Sequence, residues 1–452
     1  MAKKKQIELT IEEKLQNALV PKEEQPYKIP SNWCWSYWKY CGKFIAGNGF
    51  KNIYQGFTQY DIPYYKVGSL KFCDEGNYLI DETNTINEEI RTKLKAVKIP
   101  VNSIIFAKIG EAIKLNRRCL NKIECCIDNN LMAFISEKYF YKYIFYWTKS
   151  LNFYELTNAT TVPALRKTDL ENIPIPLPPL NEQQRIVNRI ESLFAKLDRV
   201  KELIENTLAQ FEQNKMAILH KAFTGELTAK WRKENNIDLS SWEKIKLGKV
   251  LLPMQTKKPT GQFFRYIDID AIDNKRQIVK APKLILTEKA PSRASRGVET
   301  GNILFSMVRP YLKNIAQIDS DLSDCIASTG FYVCRCKPEL NSRFLYYLFI
   351  FDKTIDYLMQ FMKGDNSPSI RKDDLLNMKI DLPTIEEQQE IVNILDNLLA
   401  KYNKIKNLEQ QLEKIELLKK AILAKAFRGE LGTNNPDEES AENLLKEILA
   451  EK

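Results

Sequence analysis

The most extended pattern in the sequence is a helical spacing of apolar positions that occurs twice. Between residues 182 and 227, apolar residues recur mostly at steps of three and four, and the same spacing returns between 386 and 427. Such heptad-like stripes over about 40 residues predict two amphipathic helices roughly 60 Å long. A stripe this narrow favours a single partner helix, so each helix is expected to pack against the other.

The two helices begin and end with nearly the same residues. LPPLNEQQRIVNRIESLFAKLD (177–198) corresponds to LPTIEEQQEIVNILDNLLAKYN (382–403), and AILHKAFTGEL (217–227) corresponds to AILAKAFRGEL (421–431). Prolines precede both helices, and a glycine follows each as a C-cap candidate. Because both ends are duplicated, the sequence indicates an internal repeat.

Chain order sets the direction of the two helices. The segment of about 228–381 leaves the C-terminal end of the first helix and enters the N-terminal end of the second. If that segment is compact, the helices run antiparallel. Both lobes read as short strands broken by Gly, Asn and Asp, followed by an aromatic run that predicts a helix. The predicted fold is α+β, with two mixed α/β lobes separated by two long antiparallel, coiled-coil-like helices in pseudo-two-fold symmetry.

The two lobes share a framework and differ in their loops. NSIIFAKIGEAI (102–113) corresponds to GNILFSMVRPYL (301–312), and TVPALRKTDLENIPIPLP (161–178) corresponds to NSPSIRKDDLLNMKIDLP (366–383). A tryptophan also opens each lobe, Trp33 in the first and Trp242 in the second. One scaffold with two sets of loops suggests two separate recognition tasks.

Composition restricts the chemistry of the chain. Its 452 residues carry 68 Lys and Arg against 58 Asp and Glu, a net charge of +10 that fits a polyanionic partner without establishing one. One histidine and nine cysteines without a CxxC pair leave little material for a His-based triad or a zinc site. The cysteines read as reduced thiols, and neither a signal peptide nor an apolar run of about 18 residues occurs, which favours a cytoplasmic protein.

Sequence motifs for catalysis are not found. Residues 178–180 lack the flanking residues of an amino-methyltransferase motif, and GNG at 47–49 reads as a turn. Asp268 and Asp270 have no supporting third metal ligand nearby in the sequence. We therefore expect no catalytic residue, no metal site and no cofactor in this chain.

The repeated helices and the variable lobes together resemble a known family. The paired EQQ-headed helix starts, the AILxKAFxGEL ends and the Trp-headed region before each helix resemble specificity (S) subunits of type I restriction-modification enzymes, over about 25–432. The resemblance implies two target-recognition domains, each reading half of a split duplex DNA target, with the helices setting the gap. It also implies methyltransferase (modification) and restriction (translocase–nuclease) subunits as partners, which supply the S-adenosylmethionine, ATP and Mg²⁺ chemistry.

On this interpretation the chain has six consecutive segments. They are an N-terminal extension (1–24), target-recognition domain 1 (25–178), a first spacer helix (179–227), target-recognition domain 2 (228–383), a second spacer helix (384–432) and a C-terminal tail (433–452). The sequence leaves open whether the extension and the tail pack together. Half-sites read from one face of duplex DNA lie roughly 34 Å apart, so helices of fixed length would act as a ruler.

Residues for DNA contact are nominated by type and position. Phosphate binding uses Arg and Lys on loops, and base reading uses Arg, Lys, Asn or Gln that reach the major groove. The candidates are Lys108, Lys114, Arg117, Arg118, Asn129, Asn130, Arg166, Lys167, Lys257, Lys258, Arg293, Arg296, Arg309, Lys313, Arg371 and Lys372. The Arg–Lys pairs at 166–167 and 371–372 occupy equivalent positions, which suits contact with the DNA backbone. An ordinary solvated charge is the alternative for each candidate.

The Glu–Gln–Gln triplets at the two helix starts have two interpretations. They either cap the helices or form twin docking sites for two identical methyltransferase subunits. The residues predicted for docking are Glu182, Gln183, Gln184, Glu387, Gln388 and Gln389.

The sequence thus predicts a non-catalytic DNA sequence-specificity subunit of a type I restriction-modification complex. One alternative is a recognition subunit of a methylation-only or other phage-defence complex. Another is a two-lobe structural adaptor that does not bind DNA. Salt-dependent binding to duplex DNA separates the adaptor from the other two. The target bases and the spacer length cannot be read from the sequence, because side-chain reach and DNA shape both contribute.

Overall fold

The described part of the chain folds into two units. The computed structural model describes residues 9–136, 141–157, 162–403 and 406–451. Unit 1 is Met1–Glu202 together with Gln411–Lys452, and unit 2 is Leu203–Gln410. Each unit therefore contains one lobe and a part of each long helical segment.

The helices follow the predicted pattern. In chain order they are α1 (Ile11–Ala18), α2 (Glu88–Leu94), α3 (Tyr141–Ser150), α4 (Lys167–Glu171), α5 (Leu180–Phe223), α6 (Ala229–Glu234), α7 (Ser342–Ile350), α8 (Asp352–Met359), α9 (Lys372–Leu376), α10 (Ile385–Asn403), α11 (Lys406–Phe427) and α12 (Ala441–Ala450). The first long helix is α5, 44 residues in one piece. The second is described as α10 and α11, and residues 404–405 lie outside the described residues.

The strands are short, and each unit has its own set. Unit 1 contains β1 (Cys34–Tyr37), β2 (Gly42–Ala46), β3 (Ile62–Tyr65), β4 (Thr85–Ile86), β5 (Ile104–Ala107), β6 (Arg118–Leu120), β7 (Cys126–Ile127), β8 (Leu131–Ser136) and β9 (Pro174–Leu177). Unit 2 contains β10 (Glu243–Lys246), β11 (Leu251–Leu252), β12 (Phe263–Ile267), β13 (Ile272–Asp273), β14 (Ile278–Val279), β15 (Lys283–Leu286), β16 (Ala294–Gly297), β17 (Ile303–Ser306), β18 (Ile315–Gln317), β19 (Ile326–Ser328), β20 (Phe331–Cys336) and β21 (Lys379–Leu382).

Strand order repeats from one unit to the other, as the internal repeat predicts. The antiparallel pair β1-β9 has its counterpart in β10-β21, and the sheet β2-β8-β5-β6 has its counterpart in β11-β20-β17-β18. A third sheet, β4-β3-β7, corresponds to β15-β12-β19-β16, and each contains one parallel pairing, β3 with β7 and β12 with β19. Both lobes are mixed α/β structures on one scaffold, which confirms the predicted fold class.

The long helices run antiparallel within each unit. In unit 1, Asp198 of α5 lies 2.5 Å from the ammonium of Lys419, while Lys201 further along α5 lies 3.8 Å from Glu416. Residue numbers thus rise on one helix as they fall on the other. In unit 2, Leu219 near the end of α5 packs in one core with residues near the start of α10.

The N-terminal extension and the C-terminal tail are packed together in unit 1. Helix α1 contacts α12, and Leu15 and Leu445 lie in the same hydrophobic core. The side chain of Asn32 donates to the carbonyl oxygen of Asn435 at 2.9 Å, and Trp33 Nε1 donates to Asn434 at 3.2 Å. The described part of the tail therefore completes the core of the first lobe.

Candidate nucleic-acid interface and helix junctions

The first Glu–Gln–Gln triplet opens on a buried carboxylate. Glu182 is fully buried at the start of α5 and accepts hydrogen bonds from Thr433 Oγ1 at 2.6 Å and Arg185 Nη2 at 2.7 Å. Arg185 also forms a two-armed ion pair with Glu438, with both contacts at 2.7 Å. Burial raises the pKa of Glu182, although the hydrogen bonds from Thr433 and Arg185 act to lower it. The hydrogen bond from Arg185 lowers the pKa of Glu438. The carboxylate thus fastens the chain after α11 to the start of α5.

The second triplet uses the same chemistry with different donors. Glu387, also fully buried, accepts from Thr228 Oγ1 at 2.6 Å, Arg232 Nη1 at 2.5 Å and Trp242 Nε1 at 2.9 Å. The two threonines, Thr228 and Thr433, each come shortly after the Gly-Glu-Leu that ends a long helix. In both units, the glutamate of the Glu–Gln–Gln triplet therefore links the chain segment after one long helix to the start of the other long helix.

The first glutamine of each triplet holds the loop before its helix. Gln183 Nε2 donates to the carbonyl oxygen of Pro178 at 3.0 Å, and Gln388 Nε2 donates to that of Pro383 at 2.9 Å. Gln388 also accepts from the backbone N–H of Asn341 at 2.8 Å, just before α7. These amides satisfy carbonyl oxygens of the loop that precedes each helix.

Burial corrects most of the docking prediction. The buried triplet residues are Glu182, Gln183, Glu387 and Gln388. A side chain with no exposed surface cannot contact a partner on this structure, so these four act as internal fasteners, close to the capping alternative. Gln184 and Gln389 are exposed, and their amides donate one helical turn onward to asparagines, at 2.8 Å and 2.9 Å. Docking by these two residues stays a prediction.

Three loop segments of the first lobe meet at the end of strand β5. The N–H of Lys108 donates to Asn130 O at 2.9 Å, and the N–H of Leu165 donates to Lys108 O at 2.8 Å. Two residues after Lys108, the N–H of Gly110 donates to Pro163 O at 2.8 Å. This three-segment junction joins the strand end, the turn before β8 and the segment before α4.

The second lobe contains the same junction at the end of β17. Met307 N–H donates to Gly330 O at 2.9 Å, Ile370 N–H donates to Met307 O at 3.0 Å, and Arg309 N–H donates to Pro368 O at 2.8 Å. Each hydrogen bond corresponds to one in the first lobe. The backbone frame is thus shared, and only the side chains that it displays differ.

In unit 1 the junction brings together five of the predicted DNA-contact residues. Asn129, Arg166 and Lys167 are exposed there, and Lys108 and Asn130 are half-buried. Asn129 and Asn130 lie in the turn before β8, and Arg166 and Lys167 lie at the start of α4. Two cations and an amide are therefore exposed on chain segments that backbone hydrogen bonds hold together.

Lys114 and Arg117 lie beyond the junction, between β5 and β6. Both are exposed. Lys114 lies 2.7 Å from Glu111 and over the ring of Tyr154, at 5.2 Å from its centroid. The hydrogen bond to Glu111 raises the pKa of Lys114. The lysine stays cationic and accessible, although a carboxylate already neutralises part of its charge.

Arg118 is a wrong prediction. It is only 3% exposed, and its guanidinium donates to Leu151 O at 2.9 Å and Asn116 O at 2.5 Å. The ring of Phe153 covers it at 3.7 Å, and burial lowers the pKa of the guanidinium. Arg118 joins the segment at Asn116 to the segment at Leu151 and Phe153 inside the lobe, so it has no free face for a phosphate.

In unit 2 the junction displays more arginines. Arg309, exposed with a left-handed backbone (φ 48°), donates from Nη2 to Asn366 O at 2.8 Å. Arg293 is exposed, and its carbonyl oxygen accepts from Thr329 N–H at 2.9 Å in the turn before β20. The exposed Arg–Lys pair at 371–372 follows Pro368 in the same junction. Exposed cations thus lie on three chain segments that backbone hydrogen bonds hold together.

The remaining candidates of unit 2 divide into two groups. Lys257 and Lys258 are exposed beside β16, where Lys257 N–H donates to Ser295 O at 3.0 Å, and Arg296 is half-buried on that strand. Lys313 is half-buried, and its ammonium pairs with Asp352 and donates to Ile350 O at 3.1 Å. Lys313 thus links the start of β18 to α7 and α8, and its contact with DNA stays a prediction.

Sequence reasoning missed the side chains that shape the turn at each junction. Asp128 Oδ1 accepts from Asn130 N–H at 2.9 Å, and Ser328 Oγ accepts from Gly330 N–H at 3.2 Å. Burial raises the pKa of Asp128. Both are local side-chain turns, and the Asp-Asn and Ser-Thr-Gly sequences carry that signal.

In the part of the chain that the structure describes, no cluster of three His, Cys, Asp or Glu residues has the arrangement to hold a metal ion. In the same residues, no helix combines the length and the apolar character that crossing a membrane requires.

Comparison with known proteins gives consistent matches. The sequence model described as the Type I restriction modification DNA specificity domain matches residues 52–210 and 242–417. The Type I restriction enzyme EcoDI specificity subunit of Escherichia coli is 28% identical over 342 residues, which are 68% of this chain and 76% of that protein. The EcoBI specificity subunit of Escherichia coli is 29% identical over 334 residues, 66% of this chain and 68% of the relative.

A solved structure shares the fold. A chain from a structure of a type I restriction-modification system aligns over 90% of this chain and 100% of its own length, with a TM-score of 0.66 and 20% sequence identity. The two family matches together span more than half of the chain, one in each half. The chain belongs to the type I restriction-modification DNA specificity family.

Proposed function

We propose that this chain reads a split DNA target, one half-site per lobe, as the specificity subunit of a type I restriction-modification complex. The observation that carries this proposal is the duplicated three-segment junction, which displays loop cations on the same backbone frame in each unit. Residues 25–178 and 228–383 are then the recognition domains, and 179–227 and 384–432 are the spacer helices. A shared frame with different side chains suits two half-sites of different sequence.

The candidates separate by the kind of contact they suit. The Arg–Lys pairs at 166–167 and 371–372 are exposed at equivalent positions, so they suit phosphates, which carry no sequence information. Side chains that are present in just one of the two lobes suit base reading. They are Asn129 and Lys108 in the first lobe, and Arg293 and Arg309 in the second. Amides pair with adenine and guanidinium groups pair with guanine in the major groove.

The catalytic steps belong to partner subunits on this proposal. The chain would present its bound target to methyltransferase subunits, and restriction subunits would join through the same complex. Gln184 and Gln389 are exposed at equivalent helix starts, which supports two equivalent docking points for two methyltransferase copies. DNA and reduced thiols both fit a cytoplasmic complex.

Salt dependence of DNA binding tests the proposal. The chain is purified with its methyltransferase subunit, and its affinity for target-containing duplex DNA is measured from about 50 to 200 mM salt. Because Arg371 and Lys372 contact phosphates on this proposal, the double alanine variant lowers the magnitude of the log–log salt slope by about 2. The matched control removes two exposed lysines of α6, Lys230 and Lys233, and leaves the slope unchanged.

Two results would contradict the proposal. One is a wild-type complex that does not bind duplex DNA, or that binds it with an affinity independent of salt. This result would favour the structural adaptor. The other is an equal loss of slope in the Arg371/Lys372 variant and in the Lys230/Lys233 control.

A further inference from the structure

A carboxylate on each spacer helix holds the aromatic helix of its own lobe. In unit 1, Lys142 Nζ lies 2.8 Å from Glu191 Oε1, and Tyr146 OH donates to the same oxygen at 3.4 Å. Lys142 and Tyr146 are on α3, and Glu191 is on α5. One carboxylate oxygen thus receives a cation and a hydroxyl that lie one helical turn apart.

Unit 2 repeats this arrangement with other residue types. Arg343 of α7 donates to Asp396 Oδ1 of α10 through Nε at 3.0 Å and Nη2 at 2.9 Å. Tyr347 OH donates to the same oxygen. The guanidinium also lies over the ring of Tyr347, at 5.0 Å from its centroid. Lysine is replaced by arginine and glutamate by aspartate, yet the cation, hydroxyl and carboxylate keep their places.

The two sets occupy equivalent positions of the repeat. Asp396 follows Glu191 by 205 residues (396 − 191 = 205), the same offset that relates Gln388 to Gln183 (388 − 183 = 205). Tyr347 follows Tyr146 by 201 residues (347 − 146 = 201). Most of the loop side chains have diverged between the lobes, whereas this chemistry has been kept in both.

Each set lies at a distance from the junction at the helix start. Eight residues separate Gln388 from Asp396 and Gln183 from Glu191, which is about 12 Å along a helix. Gln388 holds the loop before α7 through Asn341, and Asp396 holds α7 itself. The hydrophobic core of unit 2 also joins α7 to α10, at Leu345 and Leu395, so the polar contact at Asp396 adds to that packing and restrains the angle of the attached lobe further.

Exposure argues against a role in stability alone. The paired side chains are 27% and 38% exposed in unit 1 and 37% and 44% exposed in unit 2. Ion pairs this accessible contribute little to folding stability. A contact that is weak, duplicated and placed between lobe and helix is suited to fixing an orientation.

We propose that Lys142–Tyr146–Glu191 and Arg343–Tyr347–Asp396 are lobe latches, positioning residues that fix the angle of each lobe on its spacer helix and so restrict the spacing of the half-sites. This inference rests on the proposed recognition of a split target. Adding one base pair to the spacer turns one half-site by about 34° relative to the other. A latched lobe resists that rotation more strongly than a lobe that has lost the latch.

Charge removal from one latch tests the proposal. Asp396→Asn is compared with wild type in the complex with its methyltransferase subunits, on plasmids that carry the native spacer or a spacer one base pair longer. We expect methylation of the longer target, relative to the native one, to rise by about twofold to fivefold. The bases required in each half-site should not change. Tyr347→Phe, which removes one hydrogen bond only, should give a smaller rise in the same direction.

Two further variants make the test specific. The double variant Arg343→Lys with Asp396→Glu gives unit 2 the latch residues of unit 1 and should keep wild-type spacer selectivity. Glu202→Gln breaks an exposed ion pair with Arg199 within α5, 2.6 Å long, and serves as the matched control with no effect.

The outcomes distinguish the latch from the function on which it rests. Wild-type spacer selectivity in both Asp396→Asn and Tyr347→Phe, with half-site binding intact, would overturn the latch and leave the proposed function standing. A wild-type complex that methylates no split target would overturn the proposed function, and the latch with it.

Discussion

At the scale of single residues, the strongest local arrangement is the buried glutamate at each helix start. Glu387 has three donors, one of them the buried guanidinium of Arg232. Glu182 has donors from a threonine and from the arginine one turn further along α5. A buried carboxylate is stable only when such donors compensate its lost hydration. The motif is therefore best understood as a structural fastener.

Removing the Glu387 carboxylate should destabilise unit 2. Glu387→Ala leaves the guanidinium of Arg232 buried without its carboxylate, which costs roughly 3 kcal/mol in the free energy of unfolding. The midpoint of thermal unfolding should fall by about 6–12 °C. The control is Glu386→Ala, an exposed neighbour in the same triplet region. Equal shifts in the two variants would refute the assigned role.

The Arg185–Glu438 pair should make stability depend on pH. The pKa of Glu438 is lowered by the hydrogen bond from Arg185, so its folded pKa lies below the unfolded value of about 4.3. Its stabilisation is present above pH 4.3 and is lost as pH falls through the folded pKa. Glu438→Gln should therefore lower the unfolding midpoint at pH 7 by a few degrees, about 1 kcal/mol, and should converge with wild type in acid. A difference that persists unchanged to pH 2 would contradict this assignment.

At the scale of single residues, the sequence gives the type of each side chain but does not fix its exposure. Arg117 and Arg118 are adjacent and chemically identical, yet one faces solvent and the other is enclosed by Phe153 and two carbonyl oxygens. Arg117 lies just before β6, whereas Arg118 is the first of the three strand residues, all of which are buried. A strand this short leaves too little pattern in the sequence to predict where it begins. Nothing in the sequence indicates that Lys313 pairs with Asp352, because the two residues are 39 positions apart (352 − 313 = 39).

At the scale of elements, the long helices were predictable because their stripe extends over many turns. The prediction 179–227 compares with the observed Leu180–Phe223. The sheets were not predictable in their pairing. Strand β2 pairs with β8, and β3 runs parallel to β7, so partners lie some 60 to 90 residues apart in the sequence. Local pattern carries no record of such distant partners.

The glycines that end the long helices offer a test at this scale. Gly225 and Gly429 have left-handed backbones, with φ 80° and 74°. A Cβ at Gly225 would also lie 2.4 Å from Leu239 Cδ1. Gly225→Ala should therefore lower the free energy of unfolding by at least about 1–2 kcal/mol. Gly49→Ala is the control, since its added Cβ meets open space among the described residues. Similar midpoints of urea unfolding in the two variants would refute this C-cap role.

At the scale of the whole molecule, duplication explains most of what the sequence could predict. Two copies of the helix ends and of the lobe framework indicated two lobes, antiparallel helices and a family of split-target readers. The closure of unit 1 by the tail was left open, because α12 is too short to reveal its partner by pattern alone. Its apolar face meets α1 in the core, at Leu445 and Leu15.

The central claim is that each lobe reads its own half of the target. The most direct test replaces residues 228–383 with the matching segment of a family member that recognises another sequence, in cells that also contain the methyltransferase subunit. Genome-wide methylation is then mapped and compared with wild type. We predict that one half of the methylated motif changes and that the other half keeps its bases. A motif that changes in both halves, or in neither, would contradict the assignment of one half-site to each lobe.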